Sequence, residues 1–208
     1  DGKLASSKAG VIDIHDYEQF LHERCVEHST AKHAYNVDDS FAVGALARFN
    51  NNHAQLNDRG KDAAEMLGLT APCHNPYANN FAQVVEVAHC YAECLKLVDQ
   101  LLGMDLTEDN VYPKVAPKAG RGIGLVEVPR GLLVHDYIYD ADGVCTKANC
   151  MIPTAMNLAN VDCDMQTYVP QVIATRSQDQ IAHDLEMLVR AYDPCISCSV
   201  HLLKVQWT

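Results

Sequence analysis

Apolar positions along this 208-residue chain repeat first at helical spacing, then in short alternating runs, then at helical spacing again. Tyr17, Phe20, Leu21 and Cys25 recur three or four positions apart in a charge-rich stretch, which predicts a helix over 13–35. Residues 41–51 form a short apolar segment ending in amides, and 58–68 read as a helix closed by Gly68 as C-cap. Thr70 to Pro76 is a loop with two prolines. The strongest helical signal spans 78–102, where Phe81, Val84, Val85, Ala88, Tyr91, Leu95, Val98 and Leu102 exceed one stripe and predict burial on most sides. A loop over 103–122 follows, with Pro113, Pro117, Gly120 and Gly122. The texture then turns to β: strands over 124–128, 132–139 and 144–152, with a turn signal at Asp140–Gly143, predict a hairpin or small sheet. A last helix over 177–191, N-capped by Ser177, carries Ile181, Leu185, Leu188 and Val189 on one face. The organisation expected is helical over 13–102, β-rich over 123–153, and a C-terminal helix with its terminal segment over 177–201.

Composition narrows the class. With 48% hydrophobic and 21% charged residues the chain is globular, and its size suits one substantial domain. A net charge of −11 argues against nucleic acid or an anionic membrane as partner. No apolar run approaches the length of a membrane span. The chain opens Asp1-Gly2-Lys3 without Met or a signal-like stretch, so we expect a processed or excised chain without a secretion signal. Nine cysteines, an odd and irregular set, predict a reducing, cytoplasmic setting with metal-binding or buried free thiols.

The chemistry concentrates in Asp193-Pro194-Cys195-Ile196-Ser197-Cys198-Ser199-Val200-His201. Pro194 cannot sit inside a helix, so the preceding helix should stop and expose a turn. There the Cys195 and Cys198 sulfurs can converge on one ion, and zinc, iron–sulfur or nickel chemistry all accept such a pair. The small residues around them predict a dry site. His201 stands as a third ligand, a ligand of a second ion, or a donor to a ligand. A four-thiolate site needs two more cysteines, and no second CxxC exists in these residues. The plainer readings are half of a zinc site or a pair of buried thiols. A thioredoxin-like site is disfavoured, because this CxxC follows a helix and does not open one. Cys90 and Cys94, four apart on an apolar helix, read as buried thiols, and Cys73-His74 as a loop pair.

Asp-Pro-Cys-x-x-Cys-x-x-His resembles the closing signature of the large subunit of nickel–iron hydrogenases. Three more segments agree, in the expected order: Val43–Asn50, Glu127-Val128-Pro129-Arg130-Gly131 and Asn149–Asn157. They are similar to that family's Val-Gly-Pro-Leu-Ala-Arg, Glu-Ala-Pro-Arg-Gly and Pro-Ser/Thr-x-x-Asn stretches, with Ala45 and Val128 as departures. The family's Arg-x-Cys-Gly-x-Cys segment is absent from these residues. The resemblance therefore implies the C-terminal portion of the large-subunit fold, an α+β and mainly α architecture of long buried helices with a small antiparallel β element.

The resemblance also implies roles. Catalysis would be reversible heterolytic cleavage of H2 at a Ni-Fe(CN)2CO centre, with Cys195 a terminal nickel ligand and Cys198 a bridging one. Arg130 would stand over the metals, oriented by Asp193 in a salt bridge. Pro129 would contact the diatomic ligands, and Thr154 would donate to a cyanide nitrogen. A Mg2+ would be held by His201, the backbone carbonyl of Cys150, and a glutamate outside these residues. The tail Leu202–Thr208 would be removed in maturation. The implied partners are the small iron–sulfur subunit with its iron–sulfur clusters, the N-terminal half of the large subunit carrying the other two cysteines, and NAD(P)/flavin electron-transfer subunits. The Arg190-Ala-Tyr and Ile196-Ser-Cys-Ser-Val-His forms resemble most the bidirectional NAD(P)-linked sulfhydrogenase-type branch, with deazaflavin- or heterodisulfide-linked branches close to it. Two competing readings are a non-catalytic complex I-like subunit, which would have lost the cysteines, and a zinc-binding interaction module.

Overall fold

The computed structural model describes residues 2–107, 111 and 115–199, with 198 and 199 described by their backbone alone. The Cys198 thiol, His201, the tail 202–208 and part of the loop 103–122 lie outside the described residues.

The architecture is α+β, mainly helical, with small antiparallel sheets. The chain opens with a hairpin of β1 (Lys3–Ser6) and β2 (Gly10–Asp13), too short to register in the hydrophobic pattern. The helix predicted over 13–35 is not there. A 3-10 turn at Ile14–Asp16 runs into one helical turn, α1 (Tyr17–Phe20), and then β3 (His22–Arg24) pairs antiparallel with β4 (His33–Tyr35). The apolar spacing serves only that one turn. Tyr17 and Leu21 are buried in a core with Ala34, Leu132, Val134, Met151 and Met156, and the polar residues after Leu21 give a helix nothing further to bury.

The helical layer follows. α2 (Ala45–Asn52), α3 (Asp58–Met66) and α4 (Asn79–Leu102) enclose a second core of Ala45, Phe49, Ala64, Leu69, Ala78, Ala82 and Val85. Gly68, with φ at 64°, ends α3 as expected, and its N–H reaches the Glu65 carbonyl. α4 departs from its prediction: Ala82 and Val85 are buried, whereas Val87, Tyr91, Leu95, Val98 and Leu102 are exposed. Among the described elements α2 and α3 pack most extensively against it, so one face is covered and much of the rest is exposed.

The predicted sheet is present. β5 (Gly120–Val128), β6 (Gly131–Tyr139) and β7 (Cys145–Met151) pair antiparallel in that order. β5 begins inside the stretch read as loop. α5 (Pro153–Val172) has no counterpart in the hydrophobic pattern. Its first turns are buried all round, Pro153 to Asn157, so no single stripe appears, and Pro170 near its end reads as a breaker. α6 (Gln178–Ala191) follows, with Ser177 as N-cap in a capping box with Gln180. A short turn, α7 (Ile196–Ser199), follows Cys195 and contains Cys198.

Candidate metal centre

Three chain segments that are distant in sequence meet at the site: the tip of the β5–β6 hairpin, the first turn of α5, and the link from α6 to α7. The hairpin pairs Val128 with Gly131, which leaves Pro129 and Arg130 as its two-residue tip. Gly131 holds φ at 134°, and a Cβ there would collide with the Val43 side chain. Glycine therefore lets the tip settle against Val43-Gly44. The Asn157 side chain on α5 accepts the Val43 N–H at 2.8 Å, fixing that support.

Arg48 holds the tip from below. Its guanidinium forks onto Glu86 at 2.6 and 2.8 Å, bonds Glu127 at 2.7 Å, and donates to the carbonyls of Val128 at 2.8 Å and Pro129 at 3.0 Å. Burial alone would lower its pKa, but Glu86 and Glu127 override that and hold it above the ordinary arginine value. In the sequence, Arg48 and Glu127 stand out only as letters of motifs. Glu86 belongs to no motif, and its one signal is a carboxylate set among the apolar positions of α4.

Arg130 points at the other strand of the site. Its Nε donates to the Asp193 carbonyl at 3.0 Å and lies 3.4 Å from the Asp193 carboxylate, the expected pairing. Asp193 follows α6 with φ at 49°, a left-handed conformation that aspartate tolerates. Gln83 on α4 donates to its carboxylate at 2.9 Å. Asn79, one turn earlier, accepts from Leu46 N–H at 3.1 Å and donates to the Ala191 carbonyl at 3.0 Å. The start of α4 thus ties α2 to the end of α6. Neither Gln83 nor Asn79 stands out in the sequence, because amides at a helix start read as ordinary polar surface.

Thr154 is 3% exposed in the first turn of α5, and its hydroxyl oxygen accepts the Cys195 N–H at 3.2 Å. The hydroxyl hydrogen is left to donate elsewhere. Cys195 is half-buried, with Sγ 3.5 Å from the Ser197 hydroxyl. The expected dry surround is not found: Ile196 is 77% exposed, because no described element lies over it. The structure therefore pairs Arg130 with Asp193 and Thr154 with Cys195, with Pro129 beside Arg130 at the hairpin tip. The donor chemistry fits a soft metal: a thiol at Cys195, with a second thiol three residues on in sequence.

Other expected features lie apart. Cys150 is exposed on β7, its thiol 3.4 Å from the Tyr137 hydroxyl and paired in register with His135. Cys90 and Cys94 are exposed, not buried, because they fall on the uncovered side of α4. Cys73 is pinned by Asn50, which both donates to and accepts from its backbone at 2.7 and 2.9 Å. Cys25, Cys73, Cys90, Cys94, Cys145, Cys150 and Cys163 form no disulfide. A cavity of about 830 Å³ runs along the other face of the Val43–Asn50 segment, lined by Leu4, Phe41 and Asn51, and includes neither Arg130 nor Cys195. No described helix is long and apolar enough to cross a membrane.

Comparison with known proteins places the chain among its relatives. The profile of the nickel-dependent hydrogenases matches residues 17–201. The chain is 34% identical to the alpha chain of sulfhydrogenase 1 from Pyrococcus furiosus over 194 residues, covering 91% of this chain and 43% of that protein. It is 36% identical to an F420-non-reducing hydrogenase of Methanothermobacter thermautotrophicus over 206 residues, covering 92% of this chain and 42% of that protein. The NAD+-reducing NiFe hydrogenase in its H2-reduced state superposes with a TM-score of 0.76 at 26% identity, over 97% of this chain and 47% of that one. The chain thus spans less than half the length of these relatives, and it belongs to the nickel-dependent hydrogenase family.

Proposed function

We propose that this chain forms the C-terminal part of a catalytic hydrogenase polypeptide and contributes half of a nickel–iron centre. The observation that carries the reading is that Arg130, at a two-residue hairpin tip, donates to Asp193 two residues before Cys195, whose N–H is accepted by Thr154. Cys195 and Cys198 would hold nickel, with Cys198 shared with iron. Two further thiolates would come from the remainder of the large subunit. When bound, the centre supplies the Lewis acid and electron sink for heterolytic cleavage of H2.

The chain's own residues position and move the proton. Cys195 Sγ, as thiolate, would be a base beside the metal, able to hold the proton released from H2. Arg130 would hold its guanidinium over the metals, oriented by the Asp193 carbonyl and carboxylate. Pro129 would wall the diatomic ligands, and the Thr154 hydroxyl would donate to a cyanide nitrogen. His201 and the Cys150 carbonyl would hold a Mg2+. The partners would be a small subunit carrying iron–sulfur clusters and, from the likeness to NAD-reducing relatives, NAD(P)/flavin electron-transfer subunits in the cytoplasm.

A complex I-like or zinc-module reading is disfavoured by Cys195 standing with Arg130 and Thr154 in one constellation. The test is infrared spectroscopy of the purified complex. Bands of iron-bound CO and cyanide, lost in Cys195→Ala together with H2 oxidation, are expected. Zinc in place of nickel, with no such bands, overturns the reading.

A further inference from the structure

A second cluster of side chains able to ligate a metal lies further along α5. His28 is in the loop between β3 and β4, His33 opens β4, and Asp162 lies on α5. His28 Nε2 is 2.8 Å from Asp162 Oδ2, and His33 Nδ1 is 3.6 Å from the same oxygen. The three ligand atoms all lie within 4.8 Å of one another. The two imidazole rings stand nearly perpendicular, at 84°, as ligands approaching one ion from different sides do.

His33 supplies the independent observation. It is 2% exposed, and its Nδ1 has no hydrogen-bond partner. A buried polar atom left unpaired is costly and rare in a native fold. The unpartnered Nδ1 faces the Asp162 carboxylate at 3.6 Å, and a cation seated between them would be ligated by both.

We propose that His28, His33 and Asp162 form a second metal site, for a zinc-class divalent ion with water as fourth ligand. Two imidazoles and a carboxylate suit zinc, and the nitrogen donors disfavour magnesium. Tetrahedral zinc with bonds of about 2.0–2.1 Å spaces its donors about 3.3 Å apart. The observed 2.8 and 3.6 Å bracket that spacing. The exposed His28 ring, 63% accessible, can swing to complete it. Such an ion clips the β3–β4 hairpin to the helix whose first turn holds Thr154 against Cys195, and it requires no hydrogen chemistry.

The test uses the purified complex containing this chain, incubated with zinc and then desalted. Wild type should retain one zinc more per chain than His28→Ala, a change at an exposed position. His28→Ala and Asp162→Asn should each weaken zinc binding at least about tenfold, the loss that even outer partners of a metal site cause. Nickel content and H2 oxidation should be unchanged in His28→Ala. Zinc K-edge absorption should show only nitrogen and oxygen donors at about 2.0–2.1 Å with imidazole scattering. No zinc retained, retention equal in wild type and both variants, or sulfur donors at about 2.3 Å would each overturn the proposal.

Discussion

Thr154 Oγ1 accepts the backbone N–H of Cys195 at 3.2 Å, so a helix start and the cysteine segment are joined across 41 residues of sequence. Thr154→Val keeps the shape and removes the acceptor. The Cys195 amide then has no partner from α5, at a cost of about 1–3 kcal/mol. We expect lower stability in urea unfolding and reduced nickel occupancy in the complex. Thr154→Ser should restore both. Equal behaviour of Val and Ser variants would show that the hydroxyl does not hold the segment.

Arg130 uses its Nε for the Asp193 carbonyl, 3.4 Å from the Asp193 carboxylate. Arg130→Lys keeps the charge but loses the planar fork. H2 oxidation should fall on the order of 10²-fold, the size expected when a preorganised donor is removed. Because the side chain is 45% exposed, stability should change little. Asp193→Asn retains the left-handed backbone and the carbonyl contact, so its activity loss should be smaller. A large stability loss with unchanged turnover in Arg130→Lys would make the residue structural.

Arg48 and Glu86 should behave in the opposite way. Both are mostly buried, and their forked pair supports the hairpin tip. Glu86→Gln leaves the Arg48 charge with only Glu127 as anionic partner and should cost about 2 kcal/mol, as for loss of a hydrogen bond to a charged group. Denaturant unfolding measures this. Any activity loss should follow the stability loss and be recovered at lower temperature.

The local chemistry of this chain is largely readable without coordinates, and its three-dimensional accounting is not. The β5–β6–β7 sheet, the Ser177 cap and the Gly68 stop follow from alternation, turn residues and cap preference, all of which act within a few residues. The motifs name Pro129, Arg130, Thr154, Asp193 and Cys195, and among these Arg130 meets Asp193 and Thr154 meets Cys195. Burial is misjudged wherever it depends on what else is present. α4 carries apolar residues on most sides, yet the described chain covers only the face holding Ala82 and Val85. α5 escapes notice for the opposite reason, being buried so fully at its start that no stripe distinguishes it. Gln83, Glu86 and Asn79 matter through partners far away in sequence, which no periodicity records.

Asp136 gives the fold a pH dependence of definite sign. It is 3% exposed on β6 and accepts from Arg121 at 2.9 and 2.6 Å and from the Tyr17 hydroxyl at 2.9 Å. The Arg121 hydrogen bonds lead in holding its pKa below the ordinary carboxylate value, against the effect of burial. An unfolded aspartate titrates near about 3.9, so the stabilisation is complete above that pH and disappears as pH falls through the lower folded value. Tyr17 gives the opposite arm. Burial raises its pKa, so its contribution is complete below the unfolded value of about 10 and is lost as pH rises through the folded one. Asp136→Asn should therefore be less stable at neutral pH by about 1.5–3 kcal/mol, with a shallower loss on acidification. Tyr17→Phe should flatten the alkaline limb. Urea unfolding of wild type and both variants across pH reads both slopes, and an acid limb as steep in Asp136→Asn as in wild type would assign acid lability to other carboxylates.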